Sequence, residues 1–503
     1  MGKYKVKVHI ELIECDDDIR EHGPVKEKNG GFTMTISEQD AVSIDKCEQS
    51  VLLAAHPSIR DAISKHLSEI SKKKAFKEAG GGEVVANPNP YKVDGEVGRF
   101  EFVTHRVGSE YDTSKDVFAE LKGKEFYRTT GFKEIAMSYG DTEQSYRKTA
   151  ELINRIRYQK QGGTPYRTLQ ENTEKEGSNV IDYLEEKTRR ILEKHGFGED
   201  GVYNGSDPGY ARNEPVTLDE DKIREAAEKC IARDIREEVL KNPVCYEDPV
   251  KTTNVSIDDV NVKRQEESRQ KGRRSEERKL KYVHNTIAHI SNEDGAYTLN
   301  GYGIKTVLCY LIAFVFNNGL IGNRLQFFTD GHRTLNDTIL KCFNWFKNIG
   351  IILDWYHLQK KCKERLSMTM KGRVVRNDTL ERLLPLLWNG LTDKAIALLE
   401  ELERSQIRNE SVLQKLVEYL HRNKPYIPCY AIRKQLGLRN SSNIGEKMND
   451  LVVSERQKHN GMSWSKPGSV ALASLTALKR NQETKAWFEN QRLDFKFVAN
   501  SAW

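Results

Sequence analysis

Three apolar runs in the second half of this chain each end on an aspartate, and that recurrence limits the fold more than any other feature. They are Val255-Ser256-Ile257-Asp258-Asp259-Val260, Phe327-Phe328-Thr329-Asp330-Gly331 and Ile351-Ile352-Leu353-Asp354-Trp355-Tyr356-His357. A fourth acid follows in Asn443-Ile444-Gly445-Glu446. Short β-branched and aromatic runs bounded by Asp and Gly read as buried strands. A single Asp where a strand surfaces is commonplace and caps turns. Several carboxylates raised together repel one another unless a cation sits between them. Hard oxygen ligands suit Mg²⁺, and a pair of such ions can clamp the attacking and leaving oxygens of a phosphodiester.

The surrounding pattern orders these runs. Val255–Val262, Tyr282–Ser291 and Tyr297–Tyr302 read as strands, and the all-apolar Ile304–Phe316 as a buried helix. Leu325–Thr329 is a strand, Thr334–Asn348 a helix, Ile351–Leu353 a strand, and a helix runs from Trp355 to about Met370. The order β-β-β-α-β-α-β-α resembles that of a ribonuclease H-like fold, whose mixed sheet sets the first strand centrally with the fourth beside it. This catalytic domain is expected over 251–367. A helical insertion follows at 368–438, then a last part at 439–480 with Glu446 on a helix Ile444–His459, and a C-terminal tail at 481–503.

The first half carries less chemistry. Residues 1–95 read as an α+β region of unknown role, with a strand in the alternating Lys3-Tyr4-Lys5-Val6-Lys7-Val8-His9-Ile10 and a helix near Pro57–Lys77. A connecting segment, 96–140, leads to helical punctuation at 141–195. There Ser145 opens a helix, Gly162-Gly163 ends it, Thr164-Pro165 starts a short one, and Gly177-Ser178 stops and caps again. Helix, Gly turn, short helix, third helix is the spacing of a helix-turn-helix DNA-binding domain. Its short middle helix offers Tyr166, Arg167, Gln170, Asn172 and Lys175 to bases and phosphates, unless this is ordinary helical packing. Residues 196–250 are polar and read as a linker.

Charge sharpens the picture only locally. Eighty basic residues nearly balance 74 acidic ones, leaving +6. Between Lys263 and Lys281, however, nine Lys or Arg face four Glu. Within that insert Arg269, Arg273, Arg274 and Arg278 could follow a phosphate backbone, or could belong to a solvated hairpin extension. Eight scattered cysteines form no Cys-x-x-Cys pair, so neither a zinc ribbon nor a disulfide framework is expected. The start of the chain lacks the apolar core of a signal peptide, and no run is long enough to cross a bilayer, so a cytoplasmic, nucleoid-associated protein without a membrane partner is expected.

The Val-Ser-Ile-Asp strand, Thr-Asp-Gly, Leu-Asp-Trp-Tyr-His and the final Glu, fifteen residues before Gly461-Met462-Ser463-Trp464, together resemble DDE transposases. The likeness is to the Mutator-like group, including bacterial insertion-sequence enzymes of the ISKra and ISLre types, and covers about residues 252–470. It implies catalytic and metal-ligating Asp258, Asp330 and Glu446 holding two Mg²⁺ ions, with Mn²⁺ as a substitute. It also implies double-stranded DNA partners, transposon ends and target, and a homodimer or higher multimer to synapse two ends. Asp259, which stands where a Gly is often found, is the rival for the first position. Asp354 and His357 resemble a Cys/Asp-x-x-His motif beside the site, with Asp354 equally suited to cap its helix. Trp388 reads as core, or as a platform for an extruded base. Two other readings compete with the transposase: a domesticated descendant that only binds DNA, and a ribonuclease H-like nuclease.

Overall fold

A computed structural model describes residues 22–26, 32–80, 82–108, 126–140, 145–159, 162–206, 209–212, 214–265, 281–458 and 461–499, together with Phe118 and Leu121. The strand expected at Lys3–Ile10 and the core of the basic insert, with Arg269, Arg273, Arg274 and Arg278, lie outside the described residues. The chain is mixed α and β, and it divides into two compact units, one of residues 1–175 with 488–490 and the other of 176–487 with 491–503.

The first unit begins with an antiparallel pair, β1 (His22–Lys26) and β2 (Phe32–Thr35), and a short α1 (Glu38–Ala41). The long α2 (Ile44–Ala79) extends the expected helix in both directions and carries Pro57 inside it. β3 (Val84–Ala86), β4 (Tyr91–Gly95), β5 (Gly98–Phe102), β6 (His105–Val107) and β7 (Phe126–Arg128) follow, in a three-stranded sheet β5-β4-β7 and a pair β3-β6. Then come α3 (Thr130–Gly140), α4 (Tyr146–Ile156) and the start of α5 (Tyr166–Lys194). Phe132, Ala136, Ala150, Ile153 and Leu169 form their shared core. Asp94, wholly buried, accepts from Thr164 Oγ1 at 2.6 Å and pairs with Arg99 at 3.1 Å and Arg157 at 3.3 Å. That arrangement ties β4 to the helices.

The second unit is built on α6 (Glu220–Cys230), α7 (Arg236–Val239) and a five-stranded sheet. Its strands are β8 (Thr252–Lys263), β9 (Tyr282–Ser291), β10 (Ala296–Gly301), β11 (Arg324–Thr329) and β12 (Ile349–Leu353), in the spatial order β10-β9-β8-β11-β12. β8, β9 and β10 are antiparallel neighbours, whereas β11 runs parallel to both β8 and β12. The first strand of the sheet is therefore central with the fourth beside it. Val255 and Ile257 point to one face, against α8 (Ile304–Asn317), which is buried from Val307 to Val315, while Ser256 and Asp258 point to the other. α9 (Arg333–Cys342) ends six residues short of the expected helix, because Phe343, Trp345 and Phe346 turn into the same core.

α11 (Arg373–Trp388), α12 (Thr392–Glu400), α13 (Glu410–Asn423) and α14 (Tyr430–Gln435) make the helical block expected at 368–438, and α10 (Trp355–Thr369), expected in the catalytic domain, joins it in one apolar core of Leu358, Leu366, Leu383, Leu399, Leu416 and Leu420. Trp388 belongs to this packing: its ring lies 4.8 Å from Trp355 and 5.8 Å from Tyr430. α15 (Asn443–Asn449) continues through a π-helical turn, Asp450–Ser454, into the short α16 (Glu455–Gln457), so the single helix expected there carries a bulge. α17 (Lys466–Arg480) and α18 (Thr484–Asn490) complete the chain.

Three expectations are corrected. The segment 196–250 is no linker: Ala226, Ala227, Ile231, Val239 and Tyr246 pack with Leu391, Cys429 and Ile432, and Glu247 forms a buried two-pronged pair with Arg433 at 2.6 Å. The described part of the expected tail, 481–499, is no loose segment, since Phe495 is fully buried and Val498 pairs with Ala296. The short helix and third helix expected of a helix-turn-helix are one helix, because α5 runs unbroken through Gly177. A Cβ on Gly177 would collide with the Ala471 carbonyl on α17, so this glycine serves helix-to-helix approach and not helix termination.

Candidate active site

Register alone brings the first two aspartates together. β11 lies parallel to β8 with Phe328 beside Ser256, and two residues further along each strand stand Asp330 and Asp258. Adjacent strands are about 4.8 Å apart, so the two carboxylates emerge side by side at one sheet end. The turn after Asp330 needs glycine. Gly331 has φ +78°, and a Cβ there would press on Leu353 at 2.8 Å and Asn423 at 2.9 Å.

Glu446 arrives from a helix. α15 lies so close on β8 that a Cβ at Gly445 would sit 2.5 Å from the Cβ of Ser256. A glycine at 445 thus has a steric cause: it lets α15 reach the strand that carries Asp258. One helical turn from Glu446, Asn449 Nδ2 donates to Asp258 Oδ2 at 3.1 Å. The sequence reading misses Asn449, although its i+3 spacing from Glu446 places both on one helix face.

Asp258, Asp330, His357, Glu446 and Asn449 line one small cavity with Ser256 and Ser442. Asp258 Oδ1 accepts from the Asp259 backbone N–H at 2.8 Å, and Asp330 Oδ1 from that of His332 at 2.8 Å. His357 Nε2 stands 3.0 Å from Glu446 Oε1. Burial pushes the Asp258 carboxyl up to about 6, and the nearby charge of Asp330 adds to the shift, against the Asp259 N–H and His357.

Asp354 takes the helix-capping position expected of it. It is buried, and its Oδ1 accepts from His357 N at 3.1 Å, which caps α10. Its Oδ2 accepts from the Ser442 hydroxyl at 2.7 Å and from the Ser442 amide. Ser442 in turn accepts from Glu446 N at 3.0 Å. One carboxylate thus joins the helix that bears His357 to the helix that bears Glu446.

Asp259 is elsewhere. It points to the opposite face of β8, where it accepts from the Thr286 hydroxyl, and it does not line the cavity. Of these two neighbours, Asp258 and not Asp259 lines the cavity. Of the proposed DNA-reading residues, Asn172 is buried and Gln170 donates to Glu174 at 2.9 Å. Tyr166, Arg167 and Lys175 lie on the first turns of α5, with the Arg147 guanidinium 5.6 Å from the exposed Tyr166 ring.

The donor set has the hard oxygens that Mg²⁺ takes. The raised Asp258 carboxyl fits the same idea, since two carboxylates crowded with little water favour a cation. Yet among the described residues no three His, Cys, Asp or Glu side chains stand close enough to hold a metal ion as they are. Glu446 keeps Oε1 on His357 in this arrangement. Among the described residues no helix is long and apolar enough to cross a membrane. Comparison with protein-family models and with curated proteins found no match.

Proposed function

We propose that this chain is a polynucleotidyl transferase of the DDE transposase kind, in which Asp258, Asp330 and Glu446 hold two Mg²⁺ ions at a scissile phosphodiester. The observation that carries the reading is the convergence on one cavity of three acids far apart in sequence, by strand register and by the Gly445–Ser256 approach. A sheet ordered β10-β9-β8-β11-β12, with its first strand central and a helical insertion before the last acid, supports a ribonuclease H-like catalytic domain. When bound, the ions would supply a lowered pKa for the attacking hydroxyl and charge neutralisation at the leaving oxygen.

The chain's own groups do the positioning. The Asp259 amide and Asn449 fix the Asp258 carboxylate, and the His332 amide fixes that of Asp330. Asp354 sets the mutual placement of His357 and Glu446. DNA ends and target, in a multimer that brings two ends together, are the partners this reading calls for.

The merging of the expected short reading helix into the long α5 favours a second reading, a ribonuclease H-like nuclease that acts on nucleic acid without recognising transposon ends. Incubation of the purified chain and Mg²⁺ with duplexes carrying any inverted repeats found beside its gene, and with random duplexes, separates the two. Joining of a 3′ end to a second duplex supports the transposase. Hydrolysis without joining supports the nuclease, and neither product refutes both.

A further inference from the structure

Beside Asp330 the helical block opens into a second cleft of about 250 Å³, which Glu446 does not line and whose chemistry is different. Its walls come from α10 and α13. On α10, Lys361 and Arg365 are four residues apart, hence on one face. On α13, Lys415, Tyr419 and Arg422 follow at spacings of four and three, again on one face. The two helices pack through Leu358, Cys362 and Leu366 against Leu416 and Leu420, so the charged faces meet at the rim of that core.

Tyr419 connects this cleft to the carboxylate cavity. Its hydroxyl donates to the Asp330 backbone carbonyl at 3.0 Å, while Lys361 and Arg422 lie 5.7 and 5.6 Å from its ring centroid. Four cations therefore share one concave surface whose acids are Glu418 and Asp330. Among the described residues none of the four cations is ion-paired with a carboxylate. The many pairs elsewhere on the surface, such as Lys424 with Asp393 at 2.7 Å, make this contrast informative. Uncompensated like charges held together destabilise a fold by self-repulsion, and a polyanion removes that repulsion.

We infer that this cleft is a phosphate-binding groove for the nucleic-acid strand that enters the carboxylate site, with Lys361, Arg365, Lys415 and Arg422 as its contacts. The inference rests on the reading of Asp258, Asp330 and Glu446 as the cleavage centre, and it names how the substrate is held there. Contacts of this kind set position and register without reading bases. The groove thus binds duplexes of any sequence alike, with strong salt dependence.

The test is fluorescence anisotropy of a labelled random-sequence duplex with the full chain across a salt series. Two variants are compared with wild type: Lys361→Gln/Arg365→Gln/Arg422→Gln, and Lys415→Glu/Arg422→Glu, whose two positions are exposed and safe for folding. The log–log slope should flatten by about 0.9 for every phosphate that the altered side chains no longer neutralise. Affinity should fall by the same factor on random and inverted-repeat duplexes. Arg422→Lys, which keeps the charge, should bind as wild type does. Wild-type slope and affinity in both multiple variants overturn the groove and leave the carboxylate reading standing. Weakened binding together with full cleavage by Asp258→Asn keeps the groove and sinks the carboxylate reading. A wild-type chain that binds no duplex overturns both.

Discussion

Gly445 and Ser256 touch backbone to strand: a methyl at residue 445 would lie 2.5 Å from the Ser256 Cβ. That contact sets how near Glu446 comes to Asp258. Gly445→Ala should push α15 off β8, lower stability by about 1–3 kcal/mol as overpacking does, and lower activity far more than stability. Adding Ser256→Gly should recover part of both, because two residues in contact are energetically coupled. Denaturant unfolding and turnover of the two single variants and the double variant measure this. Simple additivity would show that the contact is not what places Glu446.

Burial and Asp330 together raise the Asp258 carboxyl from 3.8 to about 6. A raised pKa means the folded chain keeps a proton that the unfolded chain has released. The stability from this group is whole below pH 3.8 and is lost as pH rises through about 6. Melting temperature measured without metal should therefore fall across that window more steeply for wild type than for Asp258→Asn. Mg²⁺ at neutral pH should raise the wild-type value and leave Asp258→Asn nearly unmoved. Equal pH profiles in the two proteins would remove the case for crowded carboxylates.

Gly177 offers a test by sign. A glycine that merely interrupts a helix gains stability on replacement by alanine, about 1 kcal/mol. Here the new methyl meets the Ala471 carbonyl, so Gly177→Ala should destabilise the chain. A higher melting temperature in Gly177→Ala would return the position to a helix stop.

Glu247 and Arg433 are almost wholly buried and joined by two bonds of 2.6 Å. Glu247→Gln should cost about 3–5 kcal/mol, since it leaves a buried guanidinium uncompensated, whereas replacing both residues by leucine should cost much less. Chemical denaturation of the single and double variants decides it. A mild single variant would mean that 196–250 packs only loosely.

The sheet and its carboxylates were legible because strands buried on one or both faces write continuous apolar runs, and the parallel register then carries Asp330 to Asp258 without further information. The His357–Glu446 pair and the contact of Asn449 were not legible. They depend on how closely α15 approaches β8, which Gly445 decides through a space that sequence spacing does not encode. Gly177 misled for a related reason, since a glycine that ends a helix and one that admits a neighbouring helix are the same letter. The polar texture of 196–250 hid its core, as Ala226 and Ala227 bury little area each yet pack against Cys429 and Ile432.

The most direct measurement is Mg²⁺-dependent cleavage and 3′-end joining by Asp258→Asn, Asp330→Asn and Glu446→Gln, beside Asp259→Asn, with duplex binding recorded for each. Each of the first three removes a charged oxygen ligand and keeps the side-chain shape. Those three should bind DNA as wild type does and lose both reactions, by a factor of about 10³ or more if electrostatic stabilisation of the reacting phosphate depends on them. Asp259→Asn, whose side chain faces Thr286 outside the cavity, should stay active. Substantial cleavage by any one of the first three would contradict the assignment of that acid, and cleavage by all three would contradict the carboxylate site itself.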